Sequence, residues 1–423
     1  MKNFVLKGNI CHSSNSGELL CFPDSYVVCE NGLCAGIFSE IPEAYASFPV
    51  TDLGDQIIIP GLSDLHVHAP QFSFRGLGMD MELLDWLNTY TFPEESKYAD
   101  LAYADRAYGQ FASYLSKSMT TRAVIFGTIH APATTLLMEK LEASGMVSYV
   151  GKVNMDRNSP DYLREVSAQA SLDATEEWIC NTRSRFANTY PIITPRFVPS
   201  CTDELMAGLG KLAEKYKILV QSHLSENLGE IEWVKELQPE SKFYGDAYDR
   251  FGLFGGNVPC IMAHCVHSGE EELKLMKERG VYIAHSPLSN TNLASGVAPV
   301  TKYMEEGLCM GLASDVAGGD DLNLFGVMAG AMRASKLRWR LQDQNVKQMS
   351  VDQAFYLATR GGGGFFGKVG AFDKGYEFDC VVLDDSSILH PQELSLRSRL
   401  ERCFYLADER QVSGKYVRGA KTL

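Results

Sequence analysis

The stretch Ile57-Ile58-Ile59-Pro60-Gly61-Leu62-Ser63-Asp64-Leu65-His66-Val67-His68 joins an apolar run to two histidines one residue apart. Successive side chains on a β-strand point to opposite faces, so residues i and i+2 share a face. Both imidazoles would therefore project from the end of this strand toward one point. Because imidazole is the commonest metal ligand in proteins, His66 and His68 predict one side of a metal chelate.

Further along the chain, three residues have the same sequence context as this pair: His223, His264 and Asp315. Each follows a short apolar run that predicts a strand. A lone His-x-His pattern is more often two ordinary surface or core histidines, but three further matching strand ends favour a common site. The sequence therefore predicts a metal-dependent hydrolase.

From about residue 56 to 360, short apolar runs alternate with longer segments of helical periodicity, such as the one containing Leu205, Leu209 and Leu212. The predicted strands cover residues 57–66, 121–129, 147–154, 191–198, 218–223, 259–264, 281–285 and 308–314. This α/β alternation predicts a (β/α)8 barrel, in which the active site lies at the carboxyl ends of the strands.

The two ends of the chain differ from the middle. Residues 1–55 and 369–423 contain short alternating runs and turn glycines, which predict small β-strands. We therefore predict a small β-sandwich built from both termini, beside a barrel domain of residues 56–368. The glycine run 361–364 lacks a following Lys-Ser or Lys-Thr pair, so a flexible loop is expected there and not a phosphate-binding loop.

Charge and composition restrict the class of partner. The formal net charge is −14, which argues against nucleic acid or an anionic membrane as a partner, since both need clustered lysine and arginine. The eleven cysteines are scattered without a Cys-x-x-Cys pair, which favours reduced thiols over a disulfide framework or a structural zinc cluster. No signal peptide or long apolar segment is evident, so we expect a cytoplasmic enzyme with a small, uncharged substrate.

The predicted ligands are three imidazoles and one carboxylate: His66, His68, His223 and Asp315. This set suits zinc, or iron, with one position left for water, and zinc lowers the pKa of such a water to about 7. Asp315 is placed to accept the proton of the water, and Glu226 can pass a proton to the substrate. His264 would donate a hydrogen bond to the attacking oxygen.

Some of these assignments have simpler alternatives. The less favoured alternatives are that Glu226 is a solvated loop carboxylate and that Arg196 is an ordinary surface cation. His130 and His267 fit structural histidines, whereas His285 ends a predicted strand and could lie next to the ligands.

The ligand set resembles the mononuclear branch of the amidohydrolase superfamily. Longer strings resemble the guanine deaminase family within it: residues 60–71, 84–93, 151–156, 193–197, 221–227 and 314–319. These strings span roughly residues 55 to 360. The activity that this resemblance implies is hydrolytic removal of the 2-amino group of guanine, which gives xanthine and ammonia.

Position by position, the resemblance implies one Zn²⁺ per chain, or Fe²⁺, held by the four predicted ligands. It implies that Gln71, Arg196, Phe197 and Glu226 bind the purine base, with His264 beside the reacting carbon, and that the enzyme is a homodimer. The residue types agree, since Gln71 and Arg196 offer donors for the O6 and N7 atoms of a purine and Phe197 offers a stacking face.

Two other functions remain open at this point. One is deamination of another amino-heterocycle, such as an 8-oxoguanine, adenosine-type or s-triazine substrate; the strings at 84–93 and 193–197 argue against it. The other is a catalytically dead scaffold protein, which the complete ligand set argues against. The chain departs from the family pattern at Pro70, Ser286 and Leu288, which leaves the fine substrate preference open.

Overall fold

The computed structural model of the chain describes residues 2–423. Its strands are β1 (Phe4–Ser13), β2 (Leu19–Glu30), β3 (Leu33–Phe38), β4 (Val50–Pro60), β5 (Leu62–His68), β6 (Thr120–Phe126), β7 (Val147–Gly151), β8 (Val153–Asn154), β9 (Thr189–Pro191), β10 (Thr194–Pro195), β11 (Val220–Leu224), β12 (Cys260–His264), β13 (Tyr282–His285), β14 (Met310–Leu312), β15 (Cys380–Leu383), β16 (Val412–Val417) and β17 (Ala420–Lys421). Its helices are α1 (Leu83–Trp86), α2 (Phe92–Ser96), α3 (Leu101–Lys117), α4 (Ala131–Ala143), α5 (Ala168–Thr182), α6 (Asp203–Tyr216), α7 (Leu228–Leu237), α8 (Tyr244–Asp249), α9 (Glu270–Arg279), α10 (Pro287–Asn292), α11 (Val300–Glu305), α12 (Leu324–Leu341), α13 (Val351–Tyr356) and α14 (Leu396–Leu406).

The middle of the chain forms two four-stranded parallel sheets, with strand orders β5-β6-β7-β9 and β11-β12-β13-β14, and a short pair β8-β10. The predicted alternation of helices and parallel strands is confirmed. The strands lie in separate sheets, so one closed barrel sheet is not confirmed.

Backbone hydrogen bonds nevertheless join the two parallel sheets on both sides. On one side, the Ile193 N–H donates to the Leu219 carbonyl (2.8 Å). On the other, the Asp315 N–H donates to the His66 carbonyl (2.9 Å) and the His68 N–H to the Val316 carbonyl (3.0 Å). The second junction holds the end of β5 directly beside the segment that follows β14.

The prediction of a single strand over residues 57–66 is wrong, because the chain breaks at Gly61. Residues before the break pair with β1 and β15 in the terminal sheet, whereas β5 pairs with β6. A Cβ atom on Gly61 would lie 2.2 Å from the Thr121 hydroxyl oxygen, so only glycine lets the two strands approach this closely. One continuous apolar run in the sequence thus serves two sheets.

Strands from both ends of the chain form one seven-stranded sheet with the order β17-β16-β15-β4-β1-β2-β3. Strand β4 lies between β1 and β15 and therefore joins the amino-terminal and carboxyl-terminal strands. It also runs across the predicted domain boundary between residues 55 and 56. The two layers of a β-sandwich are not confirmed by this strand pairing.

Helices pack on the parallel sheets through apolar faces of helical period. On α6, Leu205, Leu209 and Leu212 are all buried, which confirms the predicted face. The side chain of Thr202 caps this helix by accepting a hydrogen bond from the Leu205 N–H. Burial of the face accounts for most of the helix's stability, since helices of this length are marginal in isolation.

No helix among residues 2–423 is both long and apolar enough to cross a membrane. All eleven cysteines carry free thiols, and eight of them are buried, including Cys260 and Cys380 on strands of different sheets.

A buried ion pair connects the parallel sheets to the terminal sheet. Arg122 on β6 is 1% exposed and donates two hydrogen bonds to the Asp379 carboxylate (2.6 and 3.0 Å) and one to Glu377 (2.7 Å). Asp379 also accepts a hydrogen bond from the Arg418 backbone N–H (2.9 Å). Because a buried guanidinium is costly without its partner, this contact constrains how the two parts of the protein pack.

We expect Asp379→Ala to lower the free energy of unfolding by about 3–5 kcal/mol, because it leaves Arg122 buried without its main countercharge. Chemical denaturation measures this change. The matched control is Glu232→Ala on α7, which removes an exposed ion pair with Lys235 and should change stability by less than about 0.5 kcal/mol. Equal effects of the two substitutions would show that the Arg122 contact does not hold the parts together.

Candidate active site

A cavity opens where the parallel strands end. The base-site residues predicted from the sequence all line it: Gln71, Arg196, Phe197, Glu226 and His264. Three of the four predicted metal ligands line it too: His68, His223 and Asp315. The fourth, His66, is buried and contacts Asp315 (3.0 Å). The fold therefore brings every predicted site residue to one place.

The four predicted ligand atoms form a tight cluster. The Nε2 atom of His68 lies 3.1 Å from that of His66 and 3.2 Å from that of His223. The Oδ1 atom of Asp315 lies 3.0 Å from the Nε2 of His66 and 3.4 Å from that of His68. Ligand atoms held about 2.1 Å from a tetrahedral metal lie about 3.4 Å apart, so these spacings suit one metal ion.

The protonation of the cluster also suits a metal. Burial lowers the pKa values of His66, His68 and His223, which keeps the imidazoles neutral as metal binding requires. The Nδ1–H of His223 donates to the Arg196 carbonyl (2.6 Å), which turns the Nε2 lone pair toward the cluster. Burial opposes ionisation of Asp315, but the neighbouring histidines outweigh it and hold its pKa well below the usual range.

Asp64 fixes the alignment of two ligands that lie 249 positions apart in the chain. Its carboxylate accepts hydrogen bonds from the Ser314 N–H (2.9 Å), the Ser314 hydroxyl (2.5 Å) and the His66 N–H (3.3 Å). Burial raises the pKa of Asp64 to about 7. The sequence analysis missed this residue, although Asp64 shares the strand face of His66 and His68 by simple alternation.

His264 occupies the side of the cluster next to Glu226. Its Nδ1–H donates to the Asn290 side-chain oxygen (2.8 Å), and its Nε2 lies 3.4 Å from Glu226 and 3.7 Å from Asp315. Burial disfavours its charged form, but the Glu226 and Asp315 carboxylates raise its pKa above the ordinary value. The ring nitrogens of His264 also lie near those of His66 and His223, so distance alone would admit it as a metal ligand.

Glu226 is buried at the mouth of β11 and is not a solvated carboxylate. Burial raises its pKa to about 7, and the nearby Glu230 contributes in the same direction. Its carboxylate accepts a hydrogen bond from the Ser295 hydroxyl (3.1 Å). A carboxyl group with a pKa near neutrality can both release and take up a proton under working conditions.

Glu230 lines the cavity and was not predicted from the sequence. It is 1% exposed, and its carboxylate accepts from the Glu226 N–H (3.2 Å) and the Tyr244 hydroxyl (2.7 Å). It also completes a capping box with Asn227 at the start of α7. Glu230 therefore orients the turn that carries Glu226.

Glu95 is a second buried carboxylate that the sequence analysis missed. It accepts a hydrogen bond from the Gln71 side-chain amide (2.9 Å) and forms an ion pair with Arg196 (2.6 Å). The Arg196 side chain is 3% exposed, so it is not a surface cation. Glu95 lies two residues after the end of the string 84–93 that the resemblance singled out.

The rest of the cavity wall is apolar. Trp86, Leu87, Phe197 and Leu293, from three segments of the chain, line it. Phe197 is 6% exposed and packs edge-on against Trp233. Flat apolar walls beside a few polar groups suit a planar, neutral heterocycle.

Two site residues have an unusual backbone. His264 has φ 74° and Asp315 has φ 47°, both in the left-handed region that side chains other than glycine rarely adopt. Each such residue costs about 1–3 kcal/mol and persists only where the surrounding structure enforces it. The backbone is thus strained where the two side chains point at the same cavity.

The remaining doubtful histidines have different environments. The Nε2–H of His267 donates to the Ser295 carbonyl (2.7 Å), so this ring is held by a structural hydrogen bond. His130 precedes α4, and its Nε2 has no partner among residues 2–423. Burial lowers the pKa of His285 to about 3, so this ring at the end of β13 is neutral.

Comparison with known proteins identifies the family of the chain. Residues 57–421 match the sequence profile of the amidohydrolase family. Guanine deaminase from Dictyostelium discoideum is 35% identical over 99% of this chain and 97% of its own length. Guanine deaminase from Escherichia coli strain K12 is 36% identical over 88% of this chain and 84% of its own length.

A solved structure gives the same result. The crystal structure of guanine deaminase from C. acetobutylicum with bound guanine in the active site is 48% identical and has a TM-score of 0.96, with 99% of each chain covered. The chain therefore belongs to the amidohydrolase family and, within it, to the guanine deaminase family.

Proposed function

We infer that this chain hydrolyses guanine at C2, releasing the 2-amino group as ammonia and leaving xanthine. The main observation that supports this function is that two sets of residues lie at one cavity. One set is the cluster of three imidazoles and one carboxylate, and the other is the polar group formed by Gln71, Arg196 and Glu226. The guanine deaminase relatives at 35% and 36% identity support the same activity.

We propose one zinc ion per chain, with iron as the alternative, held by His66, His68, His223 and Asp315. A bound divalent metal of this kind supplies a Lewis acid that makes water nucleophilic near neutral pH. The Nε2 and Oδ1 spacings of 3.0–3.4 Å support a single ion.

The protein's own groups then have distinct tasks. Asp315, which remains ionised, takes the first proton from the attacking water. His264 has a raised pKa and donates a hydrogen bond to the oxygen that is adding to C2. Glu226 delivers its proton to the ring nitrogen beside C2, then takes the remaining proton from the oxygen on C2 and passes it to the amino group, so that the C2–N bond breaks, ammonia leaves and the C2 carbonyl forms. The proton held by Asp315 returns Glu226 to its acid form.

The base is held by the opposite wall. Arg196 and Gln71 meet the polar edge of the purine, and Phe197 packs against its face. Because Glu95 pairs with Arg196, the guanidinium is held in place before the substrate arrives. Preorganised donors of this kind lower the cost of binding and orienting a small ligand.

We further propose that the two parallel sheets and the β8-β10 pair form one (β/α)8 barrel of residues 56–368. The backbone hydrogen bonds at Ile193 and at His66 support this closure. The terminal sheet, from residues 1–55 and 369–423, would then be the small β-sandwich. The resemblance also implies a cytoplasmic enzyme that forms a homodimer. Sedimentation equilibrium of the purified protein tests the homodimer.

Deamination of a different amino-heterocycle is the competing activity. The purified protein should release ammonia from guanine, and more slowly or not at all from adenine, 8-oxoguanine and melamine. A higher kcat/KM for one of these than for guanine would contradict the proposed substrate.

The metal assignment predicts different results for two histidines of the cluster. His66→Ala should lose the metal and turnover together, because it removes a ligand. His264→Ala should lose turnover by about 10²-fold or more but retain one metal per chain, because His264 acts on the attacking oxygen. Elemental analysis together with ammonia release measures both. Loss of metal in His264→Ala would show instead that His264 is a metal ligand.

Arg196→Lys keeps a positive charge beside Glu95 but loses the planar fork of donors. We expect kcat/KM for guanine to fall by about 30-fold, equivalent to about 2 kcal/mol, because one buried hydrogen bond to the base is lost. Metal content should equal that of the unchanged protein. Normal guanine kinetics in this variant would show that Arg196 does not bind the base.

Glu226→Gln should keep the metal and most substrate binding while removing the titratable proton. We expect kcat to fall by about 10²-fold or more with KM little changed, which is the usual scale for general acid–base catalysis. Since Glu226 donates a proton and its pKa is raised to about 7, activity of the unchanged protein should decline as pH rises through this value.

The same decline should be absent in Glu226→Gln, because a glutamine amide does not titrate. Steady-state kinetics between pH 5 and 9 would show this. A near-normal kcat in the variant would assign the proton transfers to Asp315 or His264 instead.

A further inference from the structure

Glu95 contacts both residues proposed to bind the purine edge. It lies on the short helix α2, and its side chain is fully buried. One carboxylate oxygen, Oε1, accepts from the Gln71 Nε2 (2.9 Å), and the other, Oε2, accepts from the Arg196 Nη1 (2.6 Å). Glu95 is not a metal ligand and does not line the cavity, so any role in catalysis must act through its two partners.

The contact with Glu95 sets which way the Gln71 amide faces. Its Nε2 donates to Glu95, and its Oε1 accepts from the Ala317 backbone N–H (3.3 Å). A flipped amide would place oxygen against a carboxylate and N–H against N–H, which is unfavourable at both ends. The Gln71 oxygen therefore keeps its identity as an acceptor and retains a second lone pair.

The contact also sets the direction of the Arg196 donors. The guanidinium is planar and rigid, so anchoring Nη1 at Glu95 fixes the directions of its other N–H bonds. Phe92, on the same helix as Glu95, lies under the guanidinium with 5.3 Å between Cζ and the ring centroid. Helix α2 thus holds the Arg196 side chain by charge and by stacking.

We propose that Glu95 is a positioning residue that sets the donor and acceptor order of the base site. With Glu95 in place, Arg196 presents a donor and Gln71 presents the free lone pair of its oxygen as an acceptor, which departs from the expectation that both residues donate to the purine. That order matches a lactam edge, in which a ring carbonyl accepts from Arg196 and the adjacent ring N–H donates to Gln71. This inference rests on the proposed function and adds that the site selects 6-oxo over 6-amino purines.

A 6-amino purine presents the opposite order. Its amino group would place N–H bonds against the Arg196 donors, and its bare N1 would face the oxygen of Gln71. Arginine has no acceptor with which to compensate, so the mismatch leaves buried polar groups without partners. Guanine and 2,6-diaminopurine share the reactive 2-amino group and differ at this edge, which makes them a suitable pair of test substrates.

The experiment is Glu95→Gln, with kcat/KM measured for both substrates. Glutamine has the same size but only one acceptor oxygen, so it satisfies one of the two donors and frees the other residue. We expect kcat/KM for guanine to fall by about 10- to 100-fold and that for 2,6-diaminopurine to change by less than about 3-fold. Metal content should stay at its normal value.

The neighbouring Glu94→Gln is the matched control. Glu94 lies on the same helix, but its carboxylate accepts from Lys97 (2.6 Å) and the Tyr103 hydroxyl. This variant should retain the full preference for guanine. If Glu95 had only a structural role, Glu95→Gln would lower kcat/KM for guanine and for 2,6-diaminopurine by the same factor. That result would overturn the proposal.

A second variant covers the case in which Glu95→Gln does not fold. Gln71→Met keeps the Glu95–Arg196 pair and removes the amide, so it should also reduce the preference for guanine by about 10-fold. An unchanged preference in this variant would refute the assigned order. Absence of guanine turnover in the unchanged protein would instead contradict the proposed function itself, so the two failures are distinguishable.

Discussion

Three imidazole nitrogens and one carboxylate oxygen cluster in the interior of this protein, with four of their separations between 3.0 and 3.4 Å. Burial lowers the pKa values of the three histidines, which keeps their imidazoles neutral. One cation would satisfy all four atoms at once, and the surrounding structure keeps them in place. Asp64 ties the first ligand strand to the last, and the Arg196 carbonyl fixes the ring of His223.

Buried carboxylates organise the site around this cluster, each through different partners. Asp64 aligns the ligands, Glu230 holds the turn that carries Glu226, and Glu95 joins two residues of the base wall. A buried carboxylate is costly unless it is paired or hydrogen-bonded, and each of these three accepts at least two hydrogen bonds. The bonds from Ser314 to Asp64 also hold the residue next to Asp315, whose backbone lies in the strained left-handed region.

The sequence predicted which side chains gather at the strand ends because strand alternation is a local rule. His66 and His68 share a face by spacing alone, and His223, His264 and Asp315 each follow an apolar run. The supporting residues were harder to recognise. Glu95 lies on a short helix 101 positions before Arg196, so nothing local connects the two. Asp64 did satisfy the alternation rule, but its partner Ser314 lies 250 positions away.

By itself, the sequence determined the α/β alternation, the family and the residue types of the site, because periodicity and motif spacing are properties of neighbouring residues. The tertiary structure decided where the run around Gly61 divides between two sheets, since the close approach of Thr121 is a contact between distant segments. It also decided which carboxylates are buried and what they bind. Burial sets the pKa of Glu226, and the contact with Glu95 sets the orientation of Gln71; both exist only once the chain has packed.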